Sequence, residues 1–198
     1  MLKVYKISCT IITTCAIVFL GCNSPVVPKP KGYEKMPFPE KKYQVFNKAG
    51  YPFTFEYPVY GQIKNNLNYF GDNKQTNHWI NIYFPANSAT IYVSYRPIQS
   101  NQLDTFIRDA YTFANNHTSK ASSIEDSAFV TDQGVYGVLF HIGGNVATSY
   151  QFLLTDSTRH FFRGALYFDA TPNEDSLAPA NEFFLKDLKH LVNTFKWQ

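Results

Sequence analysis

The fold is decided by residues 123–168, which read SIEDSAFVTDQGVYGVLFHIGGNVATSYQFLLTDSTRHFFRGALYF. β-Branched and aromatic residues, which favour strands, fill this stretch in short runs. Three polar tripeptides, DQG, GGN and DST, separate the runs and are typical of tight turns. Because connections this short join only antiparallel strands, the stretch is predicted to be a β-meander. The predicted strands are 123–131, 135–142, 147–155 and 160–168.

Two further strand pairs precede the meander. Segments 43–47 and 51–57 flank Ala49-Gly50 and are predicted to form a first hairpin. Residues 79–84 and 90–95 form a second pair, joined through the turn residues of 85–88. The Asn-rich stretch 61–77 between the pairs is predicted to be a long loop. Because long loops within a domain are often functional, this one is a candidate contact surface.

Apolar residues recur at helical spacing in two places. The first pattern predicts a helix over 103–114, capped by Ser100 or Asn101. The second predicts a closing helix over 179–195, with Pro179 in its first turn. The order of elements therefore predicts an α+β fold, an antiparallel β-sheet meander with two covering α-helices.

The N-terminus has the features of an export signal. Lys3 and Lys6 precede an uncharged apolar run at 7–20, which is shorter than the roughly 20 residues that span a bilayer. The following Phe19-Leu20-Gly21-Cys22 resembles a lipobox, although a small residue is more usual than Leu20. We predict a signal peptide over 1–21 and lipidation of Cys22 by palmitate-type acyl chains. The alternative, an uncleaved anchor with an incidental cysteine, is disfavoured by the short run.

A tether is predicted over 22–42, where five prolines favour an extended spacer, and one globular domain over 43–198. All three cysteines lie at or before residue 22, so the mature domain has no thiol for a disulfide or a nucleophile. The net charge is uneven along the predicted mature chain, since residues 22–48 carry +4 and residues 49–198 carry −3. This distribution indicates a membrane-proximal basic segment and argues against nucleic-acid binding, which needs a clustered basic face on the domain.

Several segments together carry a family resemblance. They are PKPKGY at 28–33, PEKKY at 39–43, YPFTFEYP at 51–58, RGALYF at 163–168, PNEDSLAP at 172–179 and TFKW at 194–197. In these segments, and in their order along the mature chain, the sequence resembles the GldD gliding-motility lipoproteins of the Bacteroidetes. The resemblance implies an envelope lipoprotein required for gliding and linked to type IX secretion. The order of elements also resembles the PsbP and Mog1 type of α+β sandwich, whose members mostly act as accessory binding proteins.

The sequence contains no known catalytic signature: no nucleophile elbow, zinc-protease helix, phosphate-binding loop or dinucleotide fingerprint. Asp156, Ser157 and His160 have the residue types of a catalytic triad, but they fall within one tight turn, which disfavours triad geometry. We expect no enzymatic activity, metal or cofactor. The histidines are scattered, without the spacing of a helical metal pair, at His78, His117, His141, His160 and His190.

Aromatic residues near the long loop form the candidate interface: Tyr57, Tyr60, Tyr69 and Phe70. Most other aromatic residues are expected to fill the core and its rim. An alternative function is a periplasmic module that binds a small molecule or a glycan. A pocket in which Tyr, Trp and Arg side chains converge would favour that alternative, whereas a flat or convex face would favour protein contacts.

Three Asp-Ser pairs resemble short O-glycosylation acceptors, which makes Ser127, Ser157 and Ser176 candidate modification sites. The same pairs also form turns and helix caps, and that alternative stays open. No acidic run follows Cys22, which suggests a domain facing the periplasm. We expect the anchor in the inner leaflet of the outer membrane rather than in the inner membrane. The expected partners are that membrane and other gliding and secretion proteins of the envelope.

Overall fold

The structure, a computed structural model, describes residues 38–65 and 78–198. The short first hairpin consists of β1 and β2, and two helices interrupt the run of strands. The elements are β1 Tyr43–Phe46, β2 Phe53–Pro58, β3 Gln62–Asn65, β4 Ile80–Phe84, a single 3-10 turn at Pro85–Asn87, β5 Ala89–Pro97, α1 Leu103–Asn115, β6 Ala121–Val130, β7 Tyr136–Gly144, β8 Tyr150–Thr155, β9 His160–Phe168, α2 Glu174–Thr194 and β10 Lys196–Trp197.

The described strands form two antiparallel sheets. The larger has the order β3-β4-β5-β9-β8-β7-β6, and the smaller has the order β1-β2-β10. The predicted meander is confirmed, because β6 to β9 pair in sequence. β5 then joins the free side of β9, with Tyr92 opposite Ala165 and Ser94 opposite Arg163. This long-range pairing places β3, β4 and β5 at one end of the large sheet.

One face of the large sheet packs against the small sheet and α2. Phenylalanine rings dominate this core, and Phe53, Phe55, Phe162, Phe184 and Phe195 are at most 1% exposed. The ring centres of Phe162 and Phe195 lie 4.8 Å apart in an edge-to-face arrangement, which aromatic pairs prefer. The core thus absorbs many of the aromatic residues that the sequence places in strands.

The other face of the large sheet is covered by α1, which contributes Ala110 and Ala114 to a second cluster with Phe140, Leu153 and Phe161. Because both faces are covered at β8, every residue of that strand is buried. The result is the predicted α+β arrangement of antiparallel strands covered by two helices. In the part of the chain that the structure describes, neither helix is long and apolar enough to cross a membrane.

Three local predictions were wrong. Gln62–Asn65 form β3 rather than loop, and residues 66–77 lie outside the described part. The polar composition of β3 misled the prediction because an edge strand with one partner tolerates polar residues on both faces. The cap of α1 is Gln102 without a side-chain hydrogen bond. Asn101 adopts φ +62°, which is unlike the extended backbone of a capping residue.

The predicted start of α2 was also wrong, because the helix begins at Glu174, five residues earlier. Asn173 caps it by accepting a hydrogen bond from the backbone N–H of Ser176 at 2.9 Å. Glu174 and Asp175 supply the acidic first turn that the macrodipole favours. Pro179 is an exposed residue within the helix rather than its first residue.

Candidate functional site

A groove of about 720 Å³ lies between α1 and the part of the large sheet that α1 leaves uncovered. We call it the aromatic groove, because rings and guanidinium groups dominate its lining. Its volume falls within the range of roughly 300–1,000 Å³ that ligand pockets occupy. Its most prominent lining side chains are Trp79, Tyr92, Arg96, Phe113, Arg163 and Tyr167.

The groove follows from strand alternation and from the register of two strands. Along β5, Val93 and Tyr95 point into the core, so Tyr92, Ser94 and Arg96 point to the outer face. The pairing of β5 with β9 sets Ala165 beside Tyr92. Small residues at Ser94, Ala110 and Ala165 leave space between the larger rings. Tyr92 and Phe113 remain 44% and 45% exposed at its rim.

Two guanidinium groups give the groove its charge. Arg163 donates from Nη2 to Oε1 of Gln151 at 2.6 Å and lies 4.4 Å from the centre of the Phe113 ring. Arg96 approaches Asp109 no closer than 3.8 Å, and its guanidinium lies 5.2 Å from the centre of the Phe106 ring. Burial, and then the charge of Arg163, lower the pKa of His117 in the same lining. Both effects favour the neutral form of His117, and Arg96 and Arg163 supply the positive charge of the described lining.

A second polar cluster surrounds Asp187 of α2, whose side chain has no exposed surface. Its carboxylate accepts hydrogen bonds from Lys41 Nζ at 2.7 Å, Tyr60 OH at 2.7 Å and Tyr43 OH at 3.0 Å. Lys41 Nζ also donates to the Phe183 carbonyl at 3.0 Å and lies 3.1 Å from the centre of the Phe183 ring. We call this arrangement the Asp187 clamp.

The pKa values in the Asp187 clamp are shifted mainly by burial. Burial lowers the pKa of Lys41, and the hydrogen bond and charge of Asp187 oppose that shift. Burial, followed by the charge of Asp187, raises the pKa of Tyr43 to about 12. The pKa of Tyr60 is raised as well, first by burial and then by its hydrogen bond to Asp187. Because Lys41, Tyr43 and Tyr60 all donate to one carboxylate, the cluster is suited to holding residues 41–43 and 60 against α2. It is less suited to catalysing a reaction.

The candidate interface residues do not converge in the described structure. Tyr60 is part of the Asp187 clamp, and Tyr57 is half-buried against the core, where burial raises its pKa. Tyr69 and Phe70 lie outside the described residues, as does the lipidation site Cys22. Among the candidate modification sites, Ser127 is exposed on β6, Ser157 is exposed in a turn and Ser176 lies in the first turn of α2.

The triad-like residues organise a turn. Asp156 Oδ1 accepts hydrogen bonds from the backbone N–H groups of Thr158, Arg159 and His160 at 2.8–3.0 Å. Burial raises the pKa of Asp156, but these bonds outweigh burial and lower it overall. His160 Nδ1 lies 2.7 Å from the Tyr95 hydroxyl. Ser157 is exposed with φ +65°. Within residues 38–65 and 78–198, no three His, Cys, Asp or Glu side chains are placed to hold a metal ion.

The aromatic groove was not predicted from the sequence. Alternation along β5 could have placed Tyr92, Ser94 and Arg96 on one face. The convergence of that face with Arg163 and Phe113 depends on the pairing of β5 with β9 and on where α1 crosses the sheet. Neither feature has a local signature in the sequence.

Comparison with known proteins identifies the family. A family described as gliding motility lipoprotein GldD matches residues 23–197, nearly the whole chain. The chain belongs to the GldD family. This assignment confirms the resemblance seen in the sequence and makes the chain a gliding motility lipoprotein associated with the cell envelope. No curated protein sequence matches this GldD chain.

Two solved structures are similar to the GldD fold described above. The solution structure of cyanobacterial PsbP (CyanoP) from Synechocystis sp. PCC 6803 has a TM-score of 0.50 and 13% identity, and the match covers 90% of this chain and 99% of that one. The crystal structure of the Ran-binding protein Mog1p from Saccharomyces cerevisiae has a TM-score of 0.48 and 12% identity, with coverages of 80% and 96%. At such identities the likeness concerns the fold alone, and the PsbP match agrees with the predicted α+β sandwich.

Proposed function

We propose that this GldD-family chain is a non-catalytic lipoprotein that acts in gliding motility and in type IX secretion by binding other envelope proteins. The observation that carries the proposal is the family match over residues 23–197, which begins directly after the predicted lipidation site Cys22. Asp187 and Asp156 each accept three hydrogen bonds within the fold, which supports a structural role for both carboxylates.

The proposed arrangement has palmitate-type chains on Cys22 in the inner leaflet of the outer membrane and the domain facing the periplasm. Residues 22–42 would form the tether, but its end is held on the domain. Phe38 stacks on Phe183 with ring centres 4.7 Å apart, and Lys41 bonds to Asp187. Phe38 and Lys41 of the predicted tether thus contact the domain, and the boundary at residue 42 remains a prediction.

An in-frame deletion with complementation tests the proposal. We expect the deletion strain to lose colony spreading and to retain secreted adhesins in its cells, and the wild-type gene to restore both. The control strain carries a silent replacement at the same locus, so that neighbouring genes are expressed equally. Normal spreading in the deletion strain would refute a role in gliding, and normal adhesin export would refute the link to secretion.

A second candidate function is the binding of a small molecule or a glycan. It is favoured by one observation, the convergence of Trp79, Tyr92, Tyr167, Arg96 and Arg163 in the aromatic groove. Titration of the purified mature chain with neutral oligosaccharides, followed by tryptophan fluorescence, tests this function. Saturable binding that Tyr92→Ser removes would support it, and an unchanged spectrum across the series would count against it.

Modification of Ser127, Ser157 and Ser176 remains a proposal. Ser127 and Ser157 are exposed, whereas Ser176 is half-buried. The intact mass of the native protein distinguishes the glycosylated form from the lipoprotein without sugar. A mass equal to that of the lipoprotein alone would exclude all three sites.

A further inference from the structure

The described lining of the aromatic groove carries more positive than negative side chains, although the domain as a whole is negative. From residue 49 onward the chain has ten lysines and arginines against thirteen aspartates and glutamates. Among the described residues that line the groove, Arg96 and Arg163 are the cations and Asp109 is the carboxylate. The side chains of Arg96 and Asp109 are 40% and 48% exposed and 3.8 Å apart, so water weakens their attraction. A ligand carboxylate can therefore compete for Arg96.

Most of the other large side chains in the described lining are aromatic. The backbone of β5 pairs with β9 from Ala89 to Pro97 and with β4 from Ala89 to Val93. Ser94, Asp109 and Asn116 are the small polar side chains among the described lining residues. Trp, Tyr and Arg are the residue types that dominate binding energy where proteins contact proteins. These residue types therefore fit a polypeptide ligand.

We propose that the aromatic groove binds an extended segment of a partner protein in which an acidic side chain lies between aromatic or aliphatic ones. This inference rests on the proposed function in protein binding and names the surface and the chemistry of the partner. The acidic side chain of the partner pairs with Arg96. The neighbouring guanidinium group of Arg163 is held in place by its hydrogen bond to Gln151. The apolar neighbours pack on Tyr92 and Phe113, whose rings are each nearly half exposed.

The direct test uses peptides of defined chemistry and the purified mature chain. The probes are Ac-Gly-Phe-Asp-Phe-Gly-amide, its neutral Asn counterpart and an oligogalacturonate, which carries carboxylates on sugars. Trp79 lines the groove and the second tryptophan is Trp197, so a Trp197→Phe background isolates the signal at the groove. We expect saturable binding of the acidic peptide, weakened by salt, and at least about tenfold weaker binding of the neutral peptide.

Matched variants locate the binding. Arg96→Ala and Tyr92→Ser are expected to weaken binding of the acidic peptide by about tenfold or more. Arg159→Ala and Tyr136→Ser, two exposed positions outside the groove lining, are expected to change it by less than about twofold. Thermal unfolding of each variant verifies that it is folded. Equal losses in the groove variants and in the control variants would overturn the proposal.

Other occupants give distinct results. Binding of the oligogalacturonate but not of the acidic peptide would overturn the proposal in favour of an acidic glycan. Peptide binding that appears only after Tyr69→Ser and Phe70→Ser would also overturn it, because a segment of the chain itself would then be the occupant. Loss of gliding in the deletion strain together with full gliding in a Tyr92→Ser/Arg96→Ala strain would reject the groove and leave the proposed function standing.

Discussion

At the scale of single residues, Asp187 shows how a buried charge is accommodated. A carboxylate without solvent contact is costly unless several donors surround it, and here an ammonium group and two phenols do so. These donors come from the segment before β1, from β1 and from the chain after β2, so one side chain fixes three parts of the chain to α2. The sequence gives no local signal of this convergence, because Lys41 and Asp187 are 146 residues apart.

Asp187→Asn tests the Asp187 clamp. The substitution leaves the charge of Lys41 half-buried without its partner, so the free energy of unfolding is expected to fall by about 2–4 kcal/mol. Urea denaturation of the mature chain measures this change. The control is Glu40→Gln, which removes the partner of Lys42 from a pair with 65% and 78% exposed side chains and is expected to cost less than about 0.5 kcal/mol. Similar losses in both variants would contradict the account.

The tyrosines of the Asp187 clamp predict alkaline instability. A phenol whose folded pKa is raised stabilises the fold fully below its unfolded pKa, near 10, and loses this effect as the pH rises through the folded pKa, about 12 for Tyr43. The free energy of unfolding is therefore expected to fall between pH 10 and 12. Tyr43→Phe should make that fall shallower, whereas Tyr136→Phe, at a 53% exposed position, should not. Equal slopes in all three proteins would be inconsistent with this explanation.

At the scale of elements, features that depend on local sequence patterns could be predicted, whereas features that depend on long-range pairing could not. The strands of the meander and the helix α1 were predictable because alternation, turn tripeptides and helical spacing are local patterns. The start of α2 was missed because Pro179 was assigned to the first turn, although Asn173-Glu174-Asp175-Ser176 carries the capping signal. Strand β3 was missed because its polar residues suit an edge. The aromatic groove depends on the pairing of β5 with β9, which no local pattern specifies.

The two helices differ in their caps, and this difference can be measured. Asn173→Ala removes the side-chain acceptor from the N–H of Ser176 and is expected to lower the free energy of unfolding by about 1 kcal/mol. Ser100→Ala, at the position once predicted to cap α1, should change it by less than about 0.3 kcal/mol, because no side-chain cap is present there. Chemical denaturation in parallel gives both values. A larger loss from Ser100→Ala than from Asn173→Ala would reverse the assignment of the caps.

At the scale of the whole molecule, charge is distributed unevenly along the chain. Residues 22–48, which directly follow the predicted signal peptide, are basic, and the remainder is negative although two arginines line the aromatic groove. The proposed lipid anchor would concentrate the domain near the membrane, so that binding of modest affinity to a membrane-bound partner would be sufficient.

The measurement that tests the central claim most directly is colony spreading by a deletion strain that produces an unanchored form. Residues 1–22 are exchanged for a leader that signal peptidase I removes, so the domain is exported without Cys22. We predict that this form accumulates to the normal level in the soluble periplasmic fraction and does not restore spreading, whereas the lipidated form does. Full spreading with the soluble form would contradict the claim that this chain acts in gliding as an anchored lipoprotein.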